Sequence, residues 1–142
     1  MRTKGCIWMA FILDTSFVIS VLEGDTGAAD RLKELRRAGA GLLMPAPAYY
    51  ELRYGYEILA DPAEHERFQS LMPGLHVPAF DRSRAAMAAR LRSRLRSKGR
   101  ETGAVDSMIL SFASSGTDVF VARDGPLEDA ARAVGIQVDH HT

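Results

Sequence analysis

The chain contains a single cysteine, a single tryptophan and no long apolar run. Because Cys6 is alone, an intrachain disulfide and a zinc site built from cysteines are both excluded. No segment approaches the roughly 20 consecutive apolar residues that a membrane-spanning helix needs, and residues 1–8 lack the apolar stretch and cleavage site of a secretory signal. These absences together predict a protein that works in a reducing cytoplasm.

The length and the composition are those of one ordinary domain. Hydrophobic residues make up 46% of the chain and charged residues 25%, which is typical of a globular protein. A chain of 142 residues is long enough to bury one continuous core and too short for two independent cores. We therefore expect one domain with one site.

The net charge of zero conceals an uneven distribution of charge. Eight of the eighteen basic residues lie in Arg82–Arg100, which contains no acid. The rest of the chain has ten basic and eighteen acidic residues. A basic segment on an acidic body is expected where a polyanion is held beside carboxylates. The same segment is equally typical of a solvated helix face, and both interpretations stay open at this point.

Short apolar runs alternate with amphipathic helical patterns along the chain. The predicted strands are 9–13, 41–45, 75–78, 119–121 and 136–138. The predicted helices begin near Thr15 and near Pro62 and span about 26–38, 47–60, 82–99 behind an Asp81 cap, 103–115 and 126–134. This alternation predicts an α/β fold, in which a central parallel sheet lies between two layers of helices as a three-layer α/β/α sandwich.

Two acids follow predicted strands of this sheet. In such folds functional side chains gather beyond the carboxyl ends of the strands, and Asp14 and Asp124 each lie beyond one such end. Each also has a structural explanation, because an Asp at the start of a helix caps its first turn for about 1 kcal/mol and complements the helix dipole. Neither residue indicates a site by itself.

Two further acids lie on the less polar faces of predicted helices. The helical neighbours of Asp106 include Ile109 and Leu110, and those of Glu51 include Ala48. We expect both carboxylates to be buried. Since an unpaired buried carboxylate is costly, each must be protonated, paired with a cation or bound to a metal.

A shared divalent cation would stabilise all four acids. Neighbouring carboxylates raise one another's pKa, and a bound cation relieves the repulsion between them. A ligand set of oxygen atoms alone favours Mg²⁺ or Mn²⁺ over zinc. The adjacent His140 and His141 are predicted to belong to a disordered end rather than to form a ligand pair.

Four segments resemble the motifs of PIN domains: Ile12–Ile19, Tyr50–Leu52, Asp106–Ile109 and Val121–Asp124. Within that family, the chain is most similar to the VapC-type toxins of toxin–antitoxin pairs, and the likeness spans nearly the whole sequence. The resemblance implies a compact α/β/α ribonuclease that depends on Mg²⁺ or Mn²⁺. It also implies a homodimer that is inhibited by a cognate antitoxin.

The resemblance assigns roles to individual residues. Asp14, Glu51, Asp106 and Asp124 would be both the metal ligands and the catalytic acids. Ser16 and its neighbour Thr15 would be polar auxiliaries. Because the first acid of the family usually lies near the start of the chain, residues 1–8 are interpreted as a poorly ordered N-terminal extension and 9–142 as the nuclease domain.

The end of the basic segment lies directly before Asp106, so its last turns should lie beside the site. Basic side chains there are candidates for binding RNA phosphates, and pairing with acids of the antitoxin or of a second subunit is comparably compatible with the sequence. The candidates are Arg92, Arg94, Arg96, Lys98 and Arg100.

The implied function is therefore that of an endoribonuclease, the toxin of a type II pair, which hydrolyses RNA phosphodiesters with a metal-activated water. A haloacid-dehalogenase-like phosphatase would need an Asp where this chain has Ser16, and a receiver domain would need a late lysine, which is missing after Lys98. The remaining alternative is a non-catalytic PIN-like module that binds RNA or a protein. The presence of all four acids argues against that alternative.

Overall fold

The fold was obtained as a computed structural model that describes residues 9–139. The predicted extension 1–8 and the predicted disordered pair His140 and His141 lie outside the described residues. The strands are β1 (Ala10–Leu13), β2 (Gly41–Leu43), β3 (Val119–Val121) and β4 (Gln137–Val138). The helices are α1 (Thr15–Leu22), α2 (Thr26–Arg37), α3 (Ala46–Leu59), α4 (Pro62–Leu71), α5 (Arg82–Ser97), α6 (Ala104–Leu110) and α7 (Gly125–Ala133), with a 3₁₀ turn at Ser111–Ala113.

The four strands form one parallel sheet in the order β2-β1-β3-β4. The two inner strands are buried on both faces, and Ile12, Leu13, Phe120 and Val121 have at most 1% of their surface exposed. Strands that are covered on both sides read as continuous apolar runs rather than as alternating patterns, which is what the sequence displays. The predicted three-layer fold with a central parallel sheet is confirmed. No helix within residues 9–139 has the length and apolar character to cross a bilayer.

Five of the helices begin at an aspartate whose carboxylate accepts a hydrogen bond from a backbone N–H of the first turn. Each such cap stabilises its helix by about 1 kcal/mol. The cap that was predicted at the start of α5 is among them. The five residues are Asp14, Asp25, Asp61, Asp81 and Asp124.

The predicted strand 75–78 is wrong. In the structure this segment contributes one isolated parallel bridge, between His76 and Leu43. The His76 N–H donates to Leu42 O at 3.0 Å, and His76 O accepts from Met44 N at 2.7 Å. One further bond follows, from the Ala46 N–H to Pro78 O at 3.0 Å. Because Pro78 has no N–H to donate in return, the segment does not form a regular strand.

The predicted helix 103–115 is shorter and changes type. It forms α6 and then tightens into the 3₁₀ turn at Ser111–Ala113. The Ser111 hydroxyl donates to Met108 O at 2.6 Å, and serines that bond to the preceding turn in this way weaken a regular α-helix.

The order of the strands places a crevice between β1 and β3. From β1 the chain first runs to β2 on one side and later crosses to β3 on the other side. The carboxyl ends of strands at such a reversal face an open space in α/β sheets, because the helices that follow them leave toward opposite faces. Asp14 directly follows β1, and Asp124 follows β3.

An ion pair anchors the far edge of the sheet. The Arg31 guanidinium donates from Nε to Asp139 Oδ2 at 2.8 Å and from a terminal nitrogen to Oδ1 at 2.6 Å. The Asp139 N–H also donates to Phe120 O at 2.8 Å. Asp139 is 9% exposed, so this pair fastens the segment after β4 to helix α2.

We expect Asp139→Asn to lower the free energy of unfolding by about 1.5–3 kcal/mol, because the Arg31 guanidinium loses a charged, bidentate acceptor. Urea denaturation followed by circular dichroism measures the change. Asp129→Asn is the matched control, since Asp129 pairs with Arg132 at 3.4 Å on the exposed surface, where ion pairs contribute about 0–1 kcal/mol. Equal losses in the two variants would contradict the anchoring role of Asp139.

Candidate metal centre

Asp14 is the buried member of the acid cluster, which consists of Asp14, Glu51, Asp106 and Asp124. Only 3% of the surface of Asp14 is exposed. Its backbone N–H donates to Val121 O at 2.9 Å, which joins the ends of β1 and β3. Its Oδ2 accepts from the Ser16 N–H at 3.0 Å and from the Ser16 hydroxyl at 2.5 Å. Its Oδ1 is buried without a hydrogen-bond partner among residues 9–139. Because such an acceptor is costly to leave unpaired, Oδ1 is suited to binding a proton or a cation.

Glu51 approaches the cluster from α3. The Thr15 hydroxyl donates to Glu51 Oε1 at 2.6 Å, so the first residue of α1 holds the carboxylate of another helix. Glu51 is half-buried, and its other oxygen remains available to a ligand. Thr15 therefore positions the Glu51 carboxylate.

Asp106 and Asp124 line a groove of about 430 Å³ that also contains Arg100. Asp106 lies in the first turn of α6 and is half-buried. Asp124 caps α7, where its Oδ1 accepts from the Leu127 N–H at 3.1 Å. The groove is the open, solvent-facing side of the cluster.

The sequence predicted the wrong acids to be buried. Glu51 and Asp106 are half-buried, whereas Asp14 is almost completely enclosed. Helical periodicity identified the faces that point inward, but those faces meet the crevice rather than the packed core. Asp14 is enclosed because it continues a strand that is buried on both sides.

The acids share one electrostatic environment. Burial raises the pKa of the Asp14 carboxyl from 3.8 to about 6; the hydrogen bonds from Ser16 oppose this rise, and the charges of Asp106 and Glu51 add to it. Burial likewise raises the pKa of Asp106, with further contributions from the charges of Glu51 and Asp124. Bringing these carboxylates together therefore costs free energy in the absence of a cation.

The chemistry of the cluster fits a hard divalent cation. The available ligands are carboxylate oxygens, and Asp14 Oδ1 is a buried acceptor without a partner in the described part of the chain. No three His, Cys, Asp or Glu side chains of residues 9–139 converge into a ready-formed metal cluster. Mg²⁺ commonly binds through one or two protein carboxylates and keeps several waters, so this open arrangement suits it better than it suits zinc.

Arg123 is a residue at this site that the sequence interpretation missed. Its backbone N–H donates to Ser16 Oγ at 2.9 Å, so the Ser16 hydroxyl connects the carboxylate of Asp14 to the segment after β3. Its guanidinium pairs with Asp25 at 2.9 Å. The only signal in the sequence was its position directly before Asp124.

The structure separates the candidate RNA-binding residues. Arg100 lines the carboxylate groove, and Arg92 and Arg96 line a second cleft between α5 and α6. Arg94 and Lys98 are exposed and line neither of these two spaces. Spacing in the sequence could not distinguish them, since the phase of α5 is set by how it packs on α6.

Solved structures with the same fold cover almost the whole chain. VapBC2 from Rickettsia felis, bound to a DNA fragment from its promoter, has 17% identity and a TM-score of 0.79 over 94% of this chain and 100% of that chain. FitAcB from Neisseria gonorrhoeae has 27% identity and a TM-score of 0.74 over 92% and 96%. VapBC-5 from Mycobacterium tuberculosis, a member of the VapBC family of toxin–antitoxin systems, has 22% identity and a TM-score of 0.65 over 93% and 98%.

The family of the chain follows from its sequence match. Among curated proteins, none matches the chain at a significant level. The family model that describes the PIN domain matches residues 11–133, a range that contains Asp14, Glu51, Asp106 and Asp124. The likeness inferred from the motifs is thereby confirmed, and the chain belongs to the PIN domain family.

Proposed function

We propose that this chain is a divalent-metal-dependent endoribonuclease and the toxin of a type II toxin–antitoxin pair. The observation that supports the proposal most strongly is Asp14 Oδ1, a buried carboxylate oxygen with no partner within residues 9–139. The charges of Asp106 and Glu51 act on this carboxyl at the carboxyl edge of the parallel sheet. A protein without a cation to bind would gain stability by replacing this oxygen.

Each residue of the proposed site has a separate task. Asp14 and Asp106 are the principal ligands, and Glu51 and Asp124 complete the acidic surface around them. Ser16 fixes the Asp14 carboxylate by holding Oδ2, which leaves Oδ1 to the cation. When bound, Mg²⁺ or Mn²⁺ would supply positive charge against the phosphate and would lower the pKa of a water, so that its deprotonated form can attack the phosphorus.

The positions of the acids also determine the side from which RNA reaches the site. Asp106 and Asp124 line the open groove with Arg100, so an RNA strand reaches the cluster from that side. The Arg100 guanidinium offers a phosphate the opposite charge beside two carboxylates that would repel it. A cation bound at the acids would offset this repulsion where the strand passes them.

The assignment as a toxin is supported by the solved structures that share this fold. VapBC-5 of Mycobacterium tuberculosis, which shares the fold, is described as a member of a toxin–antitoxin family. We propose that a cognate antitoxin inhibits this chain and that the chain forms a homodimer. The cytoplasmic location predicted from the single cysteine stays a prediction.

We expect the purified chain to cleave structured RNA in the presence of Mn²⁺ or Mg²⁺ and to lose this activity in EDTA. Asp14→Asn should reduce cleavage by at least about 100-fold, because it removes the buried ligand charge while preserving the helix cap. Gel analysis of a labelled RNA measures the products.

Asp30→Asn serves as the control for that experiment, because Asp30 is an exposed acid of α2 that does not line the groove. It should retain full activity. Undiminished cleavage by Asp14→Asn would refute the metal site. RNA binding without any metal-dependent cleavage would favour the non-catalytic alternative.

Asp106→Asn should raise the melting temperature in metal-free buffer, because it removes repulsion between carboxylates that keeps the pKa of Asp106 raised. Addition of Mn²⁺ should stabilise the original chain and have a smaller effect on the variant. Differential scanning calorimetry measures both. Marked destabilisation by Asp106→Asn would instead indicate a structural ion pair.

The metal-free protein should lose stability as the pH rises from about 4 to 6.5. The folded state keeps its Asp14 proton up to a pKa of about 6, whereas the unfolded state releases it near 3.8, so folding binds protons in this window. The contribution of Asp14 to this loss is on the order of 3 kcal/mol. Asp14→Asn should lose less stability over the same range, where the raised pKa of Asp106 still contributes. Urea titrations of both proteins across this range, in EDTA, test the difference; parallel curves would contradict it.

A further inference from the structure

A second cleft, of about 580 Å³, lies between α5 and α6. Small residues form much of its surface, with Ala85 and Ala89 on the α5 side and Ala104 and Ser107 on the α6 side. Pockets that hold small organic ligands have volumes of about 300–1,000 Å³. The cleft is therefore large enough for a single nucleotide.

Two arginines of α5 stand on the side that faces this cleft. Arg92 and Arg96 are both exposed and lie about 6 Å apart along the helix axis, since they are separated by about one turn. Arg84 is engaged, because it donates to Ser111 O at 2.7 Å. Within residues 9–139, no ion pair includes a basic residue of the segment 82–100. Arg92 and Arg96 thus have no acidic partner in the described part of the chain.

The cleft continues into the carboxylate groove. Glu101 lines both spaces, and Arg100 and Asp106 lie on the groove side of it. A strand that passes the acids therefore reaches Arg92 and Arg96 by crossing Glu101. This exposed acid opposes the approach of an anion at that point.

The interior of the cleft is suited to a base as well as to a phosphate. Phe80 lines it and is half-buried, with its ring packed against Phe112 at a centroid distance of 6.4 Å. Met108 adds a second large apolar side chain. Aromatic side chains stack on bases without regard to sequence, and a base must leave a duplex before it can enter such a pocket.

We propose that this cleft binds one unpaired nucleotide of the RNA beside the cleavage point, with Arg92 and Arg96 on its phosphates and its base against Phe80 and the alanine surface. The inference rests on the proposed function and specifies its substrate as RNA with unpaired nucleotides. A run of acidic side chains would pair with the same arginines, but it has no aromatic base to place against Phe80. The cleft therefore favours a nucleotide.

The first experiment measures binding without cleavage. The full chain is titrated in EDTA against a fluorescein-labelled single-stranded RNA of about 12 nucleotides, with fluorescence anisotropy as the readout. We expect Arg92→Gln/Arg96→Gln to weaken RNA binding about tenfold or more. The slope of the logarithm of the binding constant against the logarithm of the salt concentration should become less steep by about 1.4, which is about 0.7 for each lost phosphate contact. Under Mn²⁺ the same variant should have a raised KM and an unchanged kcat.

The matched control is Arg37→Gln/Arg90→Gln, which removes the same charge from two exposed arginines that do not line the cleft. This variant should bind RNA nearly as the original chain does. Equal losses in the two double variants would overturn the inference, because they would show that only the overall charge matters. Glu101→Gln should act in the opposite direction and tighten binding.

A second pair of variants tests whether the base occupies the cleft, and neither variant changes a charge. Ala89→Met fills the cleft, and Ala86→Met makes the same change at an exposed alanine of α5 outside it. Methionine and alanine both favour helix, so neither change should disturb folding. We expect Ala89→Met, and not Ala86→Met, to weaken the binding of single-stranded RNA. Neither change should affect the binding of duplex RNA. Equal binding of single strand and duplex by the original chain would overturn the inference.

The outcomes separate this inference from the proposed function. Cleavage under Mn²⁺ with a KM that Arg92→Gln/Arg96→Gln does not alter would refute the nucleotide site and leave the nuclease intact. RNA binding in EDTA that depends on both arginines, without cleavage under any metal, would support the site and refute the nuclease. Loss of polyglutamate binding with unchanged RNA binding in this variant would assign the cleft to an acidic protein and overturn the inference.

Discussion

Asp14 keeps a carboxylate at the end of a strand that is buried on both faces, and the rest of the site is arranged around that carboxylate. One of its oxygens is held by Ser16 and caps α1, while the other has no partner within residues 9–139. Structural and chemical roles are therefore divided between two atoms of one side chain. A helix cap does not by itself require burial. Of the other four capping aspartates, Asp25 and Asp124 are partly exposed, and Asp61 and Asp81 are exposed.

The acids are held by contacts that join separate elements. Thr15 of α1 fixes Glu51 of α3, and Ser16 connects Asp14 to the backbone of Arg123 after β3. Hydrogen bonds of short side chains, in addition to packing, therefore join the elements around the crevice. Because these hydroxyls have few rotamers, the carboxylates are placed with little loss of side-chain entropy, and their repulsion is stored in the metal-free fold.

The sequence predicted the fold well because buried parallel strands and capped helices leave local patterns. Prediction failed where pairing depends on a distant partner, as at His76, whose ladder ends at Pro78. For the site, residue positions followed from motifs, but the degree of burial did not. Whether Asp14 or Asp106 is enclosed depends on the depth of the crevice, and whether Arg94 or Arg96 faces it depends on the contact between α5 and α6.

The two edges of the sheet have a consequence for assembly. On one side β4 has two residues, and on the other β2 is followed outward by the single His76 bridge. Neither edge, within residues 9–139, offers the row of free N–H and C=O groups that another chain needs in order to add a strand. Recognition by protein partners is thereby directed to helical surfaces and grooves, and the chain is protected against association through its strands.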